Sequence, residues 1–171
     1  MNTAYIKKNT LVLYDSQFGN TEHIAQTIAQ ALSAYGPALA ECVDKAHPSD
    51  VGGTYLLVLG CPTQGWRATP AMQAFLNRVP KNVLRGVAVA CFDTRFNRSS
   101  WLTGSAAKRM AKQMKKRGVS LITPPESYFV KATEGPLEIG ELSRAERWAE
   151  ALYHKAKQAE VLQQVLDGVI V

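Results

Sequence analysis

TLVLYDSQFGNTE, Thr10 to Glu22, joins a short aliphatic run to a polar loop and the opening of a helix. Thr10 to Tyr14 is β-branched and aliphatic and reads as strand one. Past the loop, Ile24, Ile28, Ala31, Leu32 and Tyr35 recur at helical spacing until Gly36-Pro37 stops the helix. The alternation continues down the chain. Leu39 to Val43 is a weak second strand, and Tyr55 to Leu59 is apolar on both parities, as a strand buried on both faces should be. Thr69-Pro70 is an N-cap with proline at the first helical position, followed by Met72, Phe75, Leu76 and Val79 on one face. Val87 to Phe92 is a second two-sided strand. A helix starts at Thr103 or Ser105, runs through Arg117 and ends at Gly118. Val119 to Ile122 and Tyr128 to Val130 read as one last strand interrupted by Pro124-Pro125. Glu141 to Lys157 is the final helix, with Leu142, Ala145, Trp148, Ala149, Leu152 and Ala156 facing inward.

Strand and helix alternating at this spacing predict an α/β fold: a doubly wound parallel sheet with right-handed crossovers and helices on both faces. Such sheets take ligands at the carboxyl ends of their strands, so the loops after strands one, three and four are where function is sought. The chain has 171 residues, 46% hydrophobic and 20% charged, which is enough to bury a core without staples. Residues 1–158 read as one domain and 159–171 as an extension of the last helix or a tail. In that extension Val161, Leu162, Val165, Leu166, Val169 and Ile170 make an apolar stripe if the helix continues. The longest apolar run, Tyr55 to Cys61, is far shorter than the roughly 20 residues of a membrane span. The first residues, with Lys7 and Lys8, lack an apolar h-region before a small-residue cleavage site, so a secretory signal is not expected. Cys42, Cys61 and Cys91 sit at neither disulfide-framework nor zinc spacing and read as reduced thiols of a cytoplasmic protein. The net charge of +6 permits nucleic acid, a membrane surface, an acidic partner or an anionic substrate, and selects none of them.

Three loops carry the chemistry. Ser16-Gln17-Phe18-Gly19-Asn20-Thr21 supplies backbone N–H groups and hydroxyl and amide side chains at a helix N-terminus, an anion site without a formal cation. It has neither the lysine of a nucleoside-triphosphate loop nor a G-x-G-x-x-G fingerprint, so one phosphate monoester suits it best. The plain alternative is a polar turn that caps a helix. His23, His47 and His154 have no ligand-spaced partners, so no metal site is expected.

YDSQFGNTE after a first strand resembles the phosphate loop of the flavodoxins, typically (S/T)-x-T-G-N-T, and the resemblance runs from about Thr10 to Lys157. It implies a five-stranded sheet in the order 2-1-3-4-5 and FMN as cofactor. It assigns the 5′-phosphate to the side chains of Ser16, Asn20 and Thr21 and to the backbone of Gln17, Phe18, Gly19, Asn20 and Thr21. Phe18 stands where the family usually has a hydroxyl. Pro62-Thr63-Gln64-Gly65-Trp66 is similar to the stretch that lies against the isoalloxazine, with Gly65 as the peptide that can offer its carbonyl to the ring. Asp93-Thr94-Arg95-Phe96 keeps the family's D-x-x-aromatic spacing, Asp93 near the pyrimidine edge and Phe96 stacking on the ring. Each of these also has a plain reading: Trp66 and Phe96 as packing aromatics, Asp93 as a turn residue.

The resemblance implies an FMN-binding redox protein, an electron carrier or a small flavin-dependent reductase. The alternative is a flavodoxin-like interaction module without flavin. Expected partners are an acidic redox protein or an anionic small molecule, with no nucleic acid and no membrane span; the C-terminal stripe either forms a homodimer or docks on the chain's own surface. Arg67, Arg95 and Arg98 are expected near the flavin edge, where positive charge favours the reduced anion.

Overall fold

The computed structural model describes residues 9–168. Five parallel strands form one sheet in the order β2-β1-β3-β4-β5: β1 (Thr10–Tyr14), β2 (Ala38–Cys42), β3 (Leu56–Pro62), β4 (Ala88–Phe96) and β5 (Glu126–Val130). The helices are α1 (Asn20–Leu32), α2 (Pro70–Arg78), the single turn α3 (Ser100–Thr103), α4 (Ala106–Lys116) and α5 (Glu141–Leu166). Leu13 pairs with Leu59 and Val58 with Ala90, so the two central strands are apolar on both faces. One face buries Leu57, Leu59, Cys61, Val89 and Cys91 under Met72, Phe75 and Leu76 of α2 and Ala107, Met110 and Met114 of α4. The other buries Val12, Val58, Ala90 and Phe92 under Ile24 and Ile28 of α1 and Ala145, Ala149 and Leu152 of α5. The doubly wound parallel sheet expected from the alternation, in the five-strand order the resemblance implied, is the fold observed.

Local signals account for most boundaries. Thr69 caps α2, its Oγ1 accepting from the Met72 N–H at 3.4 Å, with Pro70 as the first helical residue. Ser105 does the same for α4, accepting from the Lys108 N–H at 3.2 Å, while Thr103 closes α3 instead of opening the long helix. At the far end of α2 the guanidinium of Arg117 donates to the carbonyls of Leu76 and Val79, which would otherwise end unpaired.

Four expectations need correction. Tyr35 lies beyond the end of α1, where its exposed ring stacks on Tyr153 with centroids 4.0 Å apart. The last strand is not one strand: Leu121 makes a single bridge to Val89, and the prolines, which cannot serve a ladder, delay regular pairing to Glu126. β5 then pairs with β4 from Phe92 to Phe96, while β3 pairs with β4 as far as Thr94. Asp93, Thr94, Arg95 and Phe96 therefore belong to a strand and not to a loop. Leu142 points outward on α5, and Glu141 takes the buried place, accepting from the Phe129 N–H at 2.7 Å and from Arg144 at 2.6 Å.

α5 continues past Lys157 to Leu166, with Val161, Leu162, Val165 and Leu166 exposed. Val169 and Ile170 lie outside the described residues.

Cys61 and Cys91 are fully buried under α4, Cys61 with its Sγ 4.0 Å from the Met110 sulfur. Burial pushes the Cys61 thiol from its ordinary 9.0 up to about 12, and pushes Cys91 up as well. In the unfolded chain Cys61 ionises near 9.0, so above that pH the unfolded state holds fewer protons and is favoured. Stability is expected to be intact below pH 9.0 and to fall as pH rises toward about 12. Melting temperatures taken across that range should decline less steeply in Cys61→Ala; equal slopes would refute the assignment.

Candidate functional site

The ends of β1, β3, β4 and β5 open on a cavity of about 400 Å³. It is built from the loop after β1 upward. Gly19, with φ +84°, leads into α1 with no side chain capping the helix. Such a φ suits glycine, which has no Cβ to clash. Ser16 Oγ accepts from the Gly19 N–H at 3.1 Å and fixes the turn. Among the described residues, the N–H groups of Gln17, Phe18, Asn20, Thr21 and Glu22 make no hydrogen bond. The loop thus gathers unspent donors at the positive end of a helix dipole. Thr21 is buried, its hydroxyl 2.7 Å from that of Thr94 on β4. Asn20 Nδ2 donates to the Glu134 carbonyl at 3.1 Å and ties the loop to the segment after β5.

The wall after β3 is a tight hairpin turn. Gln64 and Arg67 exchange both backbone hydrogen bonds, at 3.0 and 2.9 Å. Gly65 and Trp66 between them have φ +51° and +69°, the double positive φ of a type I′ turn. For Trp66 that conformation is strained, costing about 1–3 kcal/mol. The turn is held from outside: Trp66 pairs with Gly104, and Gln64 Nε2 donates to Gln17 Oε1 at 2.8 Å, bridging the first two loops.

The third wall is the end of β4, anchored by Asp93. Asp93 is fully buried, and its Oδ2 accepts from Ser105 Oγ at 2.6 Å, the Ala107 N–H at 3.0 Å and Thr63 Oγ1 at 3.1 Å. Its Oδ1 lies 3.7 Å from Arg95 Nε. Arg95 also donates to Ser127 Oγ at 3.0 Å and to the Arg98 carbonyl at 2.6 Å, with its guanidinium over the Phe129 ring. Its charge is spent largely inside the protein.

Of the expected site residues, Ser16, Gln17, Phe18, Asn20, Thr21, Pro62, Thr63, Gln64, Gly65, Trp66, Thr94, Arg95 and Phe96 all line this one cavity. Gly19 shapes the loop without lining it, and Asp93 sits behind the wall. Arg67 and Arg98 do not line it either. Thr103, Val130 and Thr133 line it without having been expected. Val130 and Thr133 follow from the rule that ligands sit at the carboxyl ends of strands, applied to β5; Thr103 carries no sequence signal. No metal-binding group of three or more His, Cys, Asp or Glu occurs among the described residues.

The family model described as flavodoxin matches residues 12–151. The chain belongs to the flavodoxin family. As a member it is an FMN-binding type of redox protein, with the flavodoxin sheet order. An archaeal flavodoxin structure superposes with a TM-score of 0.72 at 17% identity, covering 87% of this chain and 99% of that one. Oxidised flavodoxin 2 from Bacillus cereus gives 0.72 at 20% identity, covering 86% and 99%. The flavodiiron core of Flv1 from Synechocystis sp. PCC6803 gives 0.69 at 20% identity, covering 91% of this chain and 37% of that one. No curated protein sequence matches the chain. No helix among the described residues is long and apolar enough to cross a membrane.

Proposed function

We propose that this flavodoxin-family chain carries electrons with FMN held in the cavity above the sheet. The observation that carries this reading is the set of unspent N–H groups from Gln17 to Glu22 at one end of a cavity rimmed at the other by Trp66 and Phe96. The donor set suits a phosphate monoester, and the rim suits a flat aromatic ring. Thr21 can accept from Thr94 and keep its own proton for a phosphate oxygen, and Ser16 can do the same while accepting from Gly19. A cavity of about 400 Å³ is the size of a cofactor site. Bound there, FMN would supply the electron chemistry, while the chain orients the ring and excludes water. The partner is an acidic redox protein or an anionic small molecule, not nucleic acid, and the setting is cytoplasmic.

The purified chain is expected to show flavin absorbance bands, or to gain them on adding FMN. A colourless protein that takes up no FMN would return the interaction-module reading. Thr21→Ala is expected to weaken FMN binding through loss of a bond to a charged group, about 1.5–3 kcal/mol. Unchanged affinity in Thr21→Ala and in Asn20→Ala would remove the cradle.

The exposed stripe at the end of α5 is proposed as the contact of a homodimer. Truncation after Gln158 removes this stripe, so the share of the melting temperature that rises with protein concentration should be lost. Sedimentation should change from dimer to monomer. A full-length chain that sediments as a monomer would end that proposal.

A further inference from the structure

Charge is sorted along this chain and across its sheet. Residues 51–125 hold twelve of the twenty Lys and Arg and only one of the fourteen Asp and Glu. That one acid is Asp93, which is buried. The segment supplies α2 and α4, the outer layer on one face of the sheet. The rest of the chain, including α1 and α5 over the opposite face, holds eight cations and thirteen carboxylates.

The positive layer is concentrated beside the cavity. Arg67, Arg109, Lys112 and Lys116 line a shallow groove of about 320 Å³ between the Gln64–Arg67 turn and α4. All four are exposed, and among the described residues none forms an ion pair. Lys108, Lys112 and Lys116 repeat at i,i+4, an arrangement of like charges that weakens an isolated helix. Lys116 favours the end of α4 and Lys108 donates to Ser100 Oγ at 2.8 Å, but the cluster as a whole faces solvent with no anion of the described chain against it. Arg67 joins the groove to the redox site, because its turn neighbour Trp66 lines the cavity. Phe18, Trp66 and Phe96, which line the cavity, are exposed, and so are Trp101, at 70%, and Leu102 of α3, which precede the lining Thr103. An apolar collar flanked by charge is the anatomy of a protein interface, with a centre that excludes water and a polar margin that orients.

We propose that the outer face of α4 and the Gln64–Arg67 turn dock an acidic electron-transfer protein, with the collar bringing its redox group to the cavity mouth. The electron-transfer part rests on the flavin reading above; the charge recognition does not. The uneven charge of the two faces orients an acidic partner before contact, so association slows as salt rises. Duplex nucleic acid would satisfy the cations but not the apolar collar.

The test uses the full-length chain and two double variants of equal net charge. Lys112→Glu with Lys116→Glu lies on the proposed face, and Lys155→Glu with Lys157→Glu lies on the exposed side of α5. Poly-glutamate binding is followed by amide chemical shifts, which do not require flavin. Shifts are expected on α4 and the 64–67 turn, vanishing at high salt. Reversing two attractions should weaken binding about tenfold in the α4 variant and less than about twofold in the α5 variant. The rate at which the FMN-loaded chain oxidises a dithionite-reduced acidic [2Fe–2S] ferredoxin should fall in parallel, while reduction of a small neutral quinone by the dithionite-reduced, FMN-loaded chain stays the same. Equal weakening in both variants, shifts that map elsewhere, or tighter binding of a DNA duplex than of poly-glutamate would overturn the proposal. A colourless chain that still binds the peptide through α4 would sink the flavin reading and leave the docking face standing.

Discussion

Asp93→Ala is expected to cost about 3–5 kcal/mol, because it breaks a buried charge pair and strands its partner. For a domain of this length that lowers the melting temperature by roughly 10 °C. Three elements lose their common acceptor at once: Thr63 after β3, Ser105 at the start of α4, and the Ala107 N–H in its first turn. Arg95 keeps Ser127 and the Arg98 carbonyl but loses its only carboxylate among the described residues. Asp93→Asn retains one acceptor oxygen and should cost less, which separates lost hydrogen bonds from lost charge. Since Thr63 and Arg95 line the cavity, FMN affinity should fall in both variants even well below their melting points. A melting temperature of Asp93→Ala within a degree or two of the parent would mean that the carboxylate is not the anchor described.

Asp93 also shows where the sequence stops being legible. Its spacing to Phe96 resembles a cofactor-binding loop, yet its place is set by strand partners far off in sequence, Cys61 on β3 and Ser127 on β5. Those two ladders carry β4 past Phe92 and take Asp93 into the interior. Local patterns cannot report such a register. The caps at Thr69 and Ser105 were legible because each is decided within four residues. The cavity walls were legible because alternation fixes which strand ends are neighbours. The three arginines were not, since loop residence does not say which way a side chain turns: Arg95 folds back on Asp93, and Arg67 turns to the α4 groove. The expectation that all three act on the flavin edge is thereby reduced to Arg95, whose charge is already paired. The sorting of charge is written plainly in the sequence, but it means little until α2 and α4 are seen to share one face.

Gly104→Ala tests the other structural support of the cavity. Gly104 has φ +74° and ψ −178°, a region reserved almost wholly for glycine. A Cβ there would meet the Trp66 Cα at 2.4 Å and its Cβ at 2.7 Å. The nearest obstacle is backbone, so no rotation of the indole can relieve it. Backbone strain of about 1–3 kcal/mol adds to about 1–3 kcal/mol of overpacking, and the sum exceeds what a surface loop normally costs. The least costly relief is for the Gln64–Arg67 turn to move away, which gives up its pairing with Gly104 and reshapes one wall of the cavity. FMN affinity should then fall more than stability does. Trp66→Gly probes the same contact from the other side: relief of about 1–3 kcal/mol of αL strain is offset by about 1 kcal/mol of added unfolded-chain entropy and by the loss of a half-buried indole, so stability should change little while the cavity is left more open. Combined with Gly104→Ala it should rescue only part of the loss, because the overlap with the Trp66 Cα remains, so the two effects should not add. A Gly104→Ala protein that melts normally and binds FMN as tightly as the parent would show that the turn stands without this contact.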